Sequence, residues 1–367
     1  MNVKFKMPVN VIMEENCVQK EADLLTSFGK RAIVITDGIA AVRNGAMDDI
    51  TAVLNKKNVE FVIYDHIESN PTVECAREAT KLAREFRAEF IIAIGGGSSL
   101  DVGKAVSLMI TQGRELSDED MLTGNFCHET IPLVALPTTS GTGSEVTPFS
   151  MLTSHATNRK INLNSPTMYA RLALLDSNYT LTVPYTVTVN TALDALSHAI
   201  EAMITVTSTP LIRAIARESL AGANQVLLGL REDDLSNIAL RDVMMYDSVL
   251  AGIAVGQTRT SALHGLSYSL TVHRHIAHGR AVGLLMVPYL RFTRNKKPIL
   301  VDQVIEAMGL RNLDDLEKGL KILLGEKDVF SEEEIQLWAT EASALRNIKN
   351  CIVPPTREDL IDILQAV

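Results

Sequence analysis

Four short runs of β-branched and aliphatic residues, separated by stretches long enough for helices, constrain the first half of this 367-residue chain. They are Arg31–Thr36, Val59–Tyr64, Phe90–Ile94 and Ile131–Leu136. Between them, segments 73–86 and 100–110 carry apolar side chains at helical spacing. Strands that are apolar on both faces and alternate with helices predict a parallel sheet covered on both sides. Such sheets bind ligands beyond the carboxyl ends of their strands.

Three loops stand at those ends. Asp37, between Thr36 and Gly38, is placed to accept hydrogen bonds from a ribose diol and to repel a 2′-phosphate; alone it reads as a turn residue before glycine. Gly95-Gly96-Gly97-Ser98 runs from a strand into a helix, with Ser98 expected as the helix cap, and offers backbone N–H groups and a positive helix end to a pyrophosphate. It matches neither G-x-G-x-x-G nor the G-x-x-x-x-G-K-[ST] loop. The third, Pro137-Thr138-Thr139-Ser140-Gly141-Thr142-Gly143-Ser144-Glu145, supplies four hydroxyls within its first six residues. Lys160 could add a cation beside them.

Beyond Pro184 strand-like runs nearly vanish, and segments 186–206, 209–231, 235–255, 259–270, 280–293, 299–308, 314–324 and 331–345 read as helices. We expect two domains, a nucleotide-binding α/β domain over 1–180 and a helical domain over 181–367. In the first of these helices Asp194 and His198 are four residues apart and project from one face. Alone, that spacing reads as an ion pair or a solvated stripe; the histidines downstream turn it toward a metal site. His264 and His278 lie fourteen residues apart, about 21 Å on an unbroken helix, so they share a site only if the chain turns back between them. Thr271–Ala277, with Gly279 beyond, is a plausible break. Asp194, His198, His264 and His278 are therefore the candidate ligands, a nitrogen-rich set that suits Fe(II), Zn(II), Mn(II) or Co(II) without choosing among them.

Composition excludes several classes of partner. The net charge of −9 argues against nucleic acid and anionic membranes. Cys17, Cys75, Cys127 and Cys351 are scattered, as in a reducing compartment. The first eight residues hold no signal-peptide run, and no stretch nears twenty apolar residues. A cytoplasmic location is expected.

Taken together, Lys30–Asp37, Gly95-Gly-Gly-Ser98, Pro137–Glu145, Asp194–Glu201, His278-Gly279 and the closing Asn350-Cys-Ile-Val-Pro-Pro-Thr-Arg stretch make the chain resemble the iron-containing (group III) alcohol dehydrogenases over nearly its whole length. That family shares a dehydroquinate synthase-like fold with glycerol dehydrogenase. The resemblance implies a Rossmann-like N-terminal domain, an all-α C-terminal domain, and iron on Asp194, His198, His264 and His278, with Zn2+ or Mn2+ as alternatives. It implies that Gly96, Gly97 and Ser98 hold the pyrophosphate, that Thr138, Thr139 and Thr142 lie along the dinucleotide, and that Asn70 and Lys160 contact it. Asp101 and Ser144, from the same loops, join that set. Asp37 favours NAD over NADP, and a homodimer or higher homo-oligomer is expected.

Two departures stand out. Many relatives carry a histidine four residues after the third ligand; here it is Tyr268, so Tyr268, His273 or His275 would relay the proton. Arg259 replaces a small residue of some relatives and would favour an anionic substrate, as in phosphonoacetaldehyde-reducing members. The activity implied is interconversion of a small primary alcohol and its aldehyde, the metal acting as Lewis acid on the oxygen and hydride passing to or from the nicotinamide. A dehydroquinate synthase-like lyase is the alternative within the fold.

Overall fold

The structure, a computed structural model, describes residues 3–157, 159–231, 235–325 and 328–367. Contacts divide the chain into two units. One comprises Met7–Thr139 and Gly143–Val183; the other comprises Met1–Lys6, Ser140–Thr142 and Pro184–Val367.

The first unit is built on a parallel sheet of β1 (Asn10–Met13), β2 (Arg31–Thr36), β3 (Glu60–Tyr64), β4 (Phe90–Gly95), β5 (Leu133–Pro137) and β8 (Leu172–Leu175), in the order β1-β8-β5-β4-β2-β3. Every pairing in it is parallel, as the continuous apolar runs predict. β4 lies between β2 and β5, and all six of its residues are buried. Helices Ala46–Lys56, Val73–Phe86 and Gly97–Met109 alternate with these strands. The last packs so closely that a Cβ on Gly103 would stand 2.7 Å from Ala93 Cβ of β4.

An antiparallel hairpin, β6 (Phe149–Ser154) with β7 (Arg159–Asn164), is an element the sequence reading did not anticipate. Its residues alternate between buried and more exposed, and several are Ser, Thr or Asn, so no apolar run marks it. The glycine-loop helix also departs from expectation. Its cap is Gly96, and Gly97 and Ser98 already lie in its first turn, so Ser98 does not cap it.

The second unit is helical. Its helices are Tyr185–Met203, Pro210–Ala221, Ala223–Gly229, Ile238–Thr258, Ala262–Arg274, His278–Lys296, Pro298–Ala307, Leu313–Leu324, Glu332–Ser343 and Arg357–Gln365. The expected single helix over 209–231 breaks at Gly222, which lies against Val243 and Asp247 of the Ile238–Thr258 helix. Leu193, Leu266, Met286, Tyr289 and Trp338 belong to one core. Every residue of the Tyr185–Met203 helix from Ala192 to Met203 is buried, so the polar groups among them require partners. Among the described residues no helix is long and apolar enough to cross a membrane.

Candidate metal centre and cofactor loops

Asp194 and His198 project from the buried stretch of the Tyr185–Met203 helix, which contains neither Gly nor Pro to interrupt it. His264 comes from the Ala262–Arg274 helix. That helix ends at His275, in the left-handed conformation with φ 54°, and the next begins at His278. The reversal brings both histidines back to one carboxylate. Asp194 Oδ1 stands 3.6 Å from His198 Nε2, 3.4 Å from His264 Nε2 and 3.5 Å from His278 Nε2.

Those separations test the fit of a cation. Ligands about 2.1 Å from a tetrahedral centre stand about 3.4 Å apart. Asp194 Oδ1 and His264 Nε2 are buried and make no hydrogen bond, a costly state that an ion between them would relieve. Asp194, His198 and His264 form a buried three-ligand group, whereas the His278 side chain is 37% exposed and marks the open side. The residues fit a divalent ion.

Glu201, three residues after His198, extends the same helical face and is fully buried. Its Oε2 lies 2.5 Å from His264 Nδ1, and its Oε1 accepts from the Ser261 amide at 2.9 Å and hydroxyl at 2.5 Å. A proton on Nδ1 turns the Nε2 lone pair toward Asp194. Burial alone would raise the Asp194 carboxyl, but the three surrounding imidazoles hold it far below the usual range. Burial pushes His198 down against Asp194; His264, despite burial, is pushed up to about 10 by Glu201 and Asp194. An ion would take the place of the His264 Nε2 proton, leaving neutral imidazoles beside two carboxylates whose formal charge of −2 matches a divalent cation. Glu201 was absent from the candidate set, although its i, i+4, i+7 spacing with Asp194 and His198 was the signal that could have found it.

The cofactor candidates lie mostly in the sheet unit. Gly95 closes β4 with φ 143°, a conformation open to glycine, and Gly96, Gly97 and Ser98 follow at the helix start. The first N–H groups of that helix have no intrahelical acceptor. The Thr138 amide donates to Gly95 O at 3.0 Å, and a Cβ on Gly96 would stand 3.2 Å from Thr139 Oγ1, so these two loops touch. Asp37 Oδ1 accepts from the amides of Ala40 at 3.1 Å and Ala41 at 3.4 Å. Lys160 Nζ donates to Asn70 Oδ1 at 3.0 Å, which joins two candidates; Asn70 has φ 59°. Asp101 and Ser144 bond each other, the Ser144 hydroxyl donating to Asp101 Oδ1 at 2.5 Å. Thr142 belongs to the helical unit with Ser140 and Gly141, and Gly141 packs there on Thr191.

Two family models divide the chain between them: "Iron-containing alcohol dehydrogenase" matches residues 8–177, and "Fe-containing alcohol dehydrogenase family, C-terminal" matches residues 188–367. The sulfoacetaldehyde reductase of Bilophila wadsworthia is 33% identical over 92% of this chain and 92% of its own. The crystal structure of an iron-containing alcohol dehydrogenase from Thermotoga maritima superposes with a TM-score of 0.90 at 33% identity, covering 99% of each chain. The chain belongs to the iron-containing alcohol dehydrogenase family. It also matches the bifunctional aldehyde-alcohol dehydrogenase of Escherichia coli at 29% identity, over 80% of this chain but only 34% of that longer one.

Three further residues singled out in the sequence belong to the helical unit of this iron-containing alcohol dehydrogenase family member. The Tyr268 ring stacks on His278, with centroids 6.2 Å apart, and Thr260 and Asn347 favour the ionised form of its hydroxyl. Burial pushes that hydroxyl up to about 12. His273 is not brought to the centre. Nine residues from His264 on one helix, it faces the other way, bonds Glu341 at 3.0 Å and stacks on Trp338. Arg259 is exposed and has φ 62° and ψ 172°, rare for a residue with a side chain. Asn350 Nδ2 pins this turn by donating to the carbonyls of Thr258 at 2.8 Å, Arg259 at 3.3 Å and Thr260 at 3.0 Å.

Proposed function

We propose that the chain is a metal-dependent, NAD-linked oxidoreductase that interconverts a small primary alcohol and its aldehyde. Asp194, His198, His264 and His278 would hold the ion, preferably Fe2+ with Zn2+ or Mn2+ as alternatives. The observation that carries the reading is the meeting of three imidazole nitrogens around one buried carboxylate oxygen, at 3.4 to 3.6 Å. When bound, the ion supplies Lewis acidity toward an alcohol or aldehyde oxygen, and the nicotinamide gives or takes the hydride. Glu201 orients His264, the surrounding apolar residues restrict water, and the half-exposed His278 side admits the reactant. Tyr268, packed on His278 and kept protonated by burial, borders that opening and would be a donor rather than a base.

Gly96, Gly97, Ser98, Thr138 and Thr139 would take the dinucleotide, with Asn70 and Lys160 as a further contact. Asp37 supports NAD: its carboxylate stands at the end of β2, where a 2′-phosphate would be repelled. The test is anaerobic purification with metal analysis, then assays with NADH and NADPH on aldehydes that include lactaldehyde, phosphonoacetaldehyde and sulfoacetaldehyde. A preparation that holds no divalent ion and reduces none of them would end this reading. Asp37→Gly is expected to move the ratio of kcat/KM for NADH over NADPH at least about tenfold toward NADPH.

A second reading concerns the substrate. The Bilophila relative is named for an aldehyde bearing a sulfonate, and the strained, exposed Arg259 lies five residues before His264. Both favour an anionic aldehyde. Preference for neutral aldehydes, unaltered by Arg259→Ala, would remove that reading. We further propose a cytoplasmic homo-oligomer, consistent with four unpaired cysteines.

A further inference from the structure

Lys104 is 1% exposed, deep in the sheet unit, and no step of the proposed chemistry uses it. Burying an ammonium costs several kcal/mol before its partners compensate, and an apolar residue of similar volume is often no less stable there. A lysine kept in that position therefore calls for a second reason. Its partners supply one. Nζ lies 3.0 Å from Asp101 Oδ1 on its own helix, and it donates to the Ser144 carbonyl at 3.0 Å, to Thr147 Oγ1 at 3.2 Å and to the Phe149 carbonyl. Asp101 completes the joint: Oδ1 accepts the Ser144 hydroxyl, and Oδ2 accepts the Met151 amide at 2.8 Å. Burial lowers the Lys104 ammonium while Asp101 opposes that shift.

One helix thus grips the backbone from Ser144 to Met151 at several points. The same helix starts with Gly97 and Ser98, and the gripped segment continues the loop that contains Thr138 and Thr139. At the far end the two loops already touch, through the Thr138 amide on Gly95 O and Thr139 on Gly96. Two attachments, one at the loop tips and one at the buried ammonium, fix their relative positions. We propose that Lys104 and Asp101 are positioning residues that preorganise the glycine and threonine loops for a dinucleotide. They act through the loops: Asp101 Oδ1 takes the Ser144 hydroxyl and the Lys104 ammonium, and Oδ2 takes the Met151 amide. This inference rests on the cofactor reading of those loops.

The experiment compares wild type with Lys104→Met, which fills the space without the charge, and with Thr147→Val, which removes one hydroxyl that accepts from Lys104 and donates to the Ser144 carbonyl. NADH affinity is measured on the metal-free protein by fluorescence titration, thermal stability by melting, and KM for NADH and kcat on the metal-loaded protein. Loss of preorganisation should weaken NADH binding by about tenfold or more in Lys104→Met and about threefold in Thr147→Val. KM should rise in step, with kcat at saturating NADH within about twofold of wild type. A merely structural role would lower the melting temperature and leave Kd and KM unchanged, and that result overturns the proposal. If Lys104→Met does not fold, Thr147→Val decides by the same criterion. A wild type that binds neither NADH nor NADPH overturns the cofactor reading and this inference with it; normal binding in both variants overturns this inference alone.

Discussion

Glu201 is not one of the four candidate ligands, yet it decides how His264 is presented. Its carboxylate fixes Nδ1 at 2.5 Å and is itself fixed by Ser261. Glu201→Gln preserves the shape and removes the charge, so metal affinity is expected to fall by about 10- to 100-fold, read by competition with a chromophoric chelator. Glu145 makes a different residue-scale case. Only 3% exposed, it is raised by burial to about 7 from its usual 4.5, with Lys104 pulling the other way. The folded protein therefore favours the protonated acid. Its contribution to stability is complete below about pH 4.5 and is lost as pH rises through about 7. Glu145→Gln stays neutral throughout, so denaturant titrations should show the variant gaining on wild type across that window, by up to about 3 kcal/mol. Both residues close sequence motifs, Glu145 in Pro137–Glu145 and Glu201 in Asp194–Glu201. Neither role was legible, because a carboxylate's role depends on what stands opposite it, here a histidine 63 residues away for Glu201.

At the scale of elements, the meeting of the Tyr185–Met203 and His278–Lys296 helices sets the fourth candidate ligand. Gly279 lies so close to the Asn190 backbone that an added Cβ would overlap its carbonyl oxygen. Gly279→Ala must force these helices apart beside His278. Its expected cost is about 1–3 kcal/mol in denaturant unfolding, with weaker metal binding than wild type. Elements differed in how openly the sequence declared them. β4, apolar throughout and covered on both faces, was plain, and Val73–Phe86 matched its helical spacing residue for residue. The β6–β7 hairpin was hidden because half its side chains meet water or polar neighbours. β1 and β8 went unread because four residues are too few for a pattern. The turn at His275 could be located only approximately, since a left-handed histidine leaves no distinctive mark in a sequence.

For the whole molecule, the parallel α/β class and the helical second half were legible because both rest on long patterns of apolar residues. The four candidate ligands belong to the helical unit alone. A saturating divalent ion should therefore raise that unit's unfolding transition, by about 4 kcal/mol at a thousand times Kd, while NADH should act first on the transition of the sheet unit. Differential scanning calorimetry with each ligand separately checks this; an ion that stabilises only the sheet unit would contradict the assignment.

The allotment of Ser140–Thr142 to the helical unit has a practical consequence for anyone dividing this polypeptide. Cutting between Val183 and Pro184 looks natural, but it yields no self-sufficient half. The C-terminal piece would lack the three residues that bring Gly141 onto Thr191, and the N-terminal piece would carry them as an orphaned patch. Grafting either half onto another protein would have to move that tripeptide and the Met1–Lys6 segment as well, so exchange of modules here needs four junctions, at 6/7, 139/140, 142/143 and 183/184.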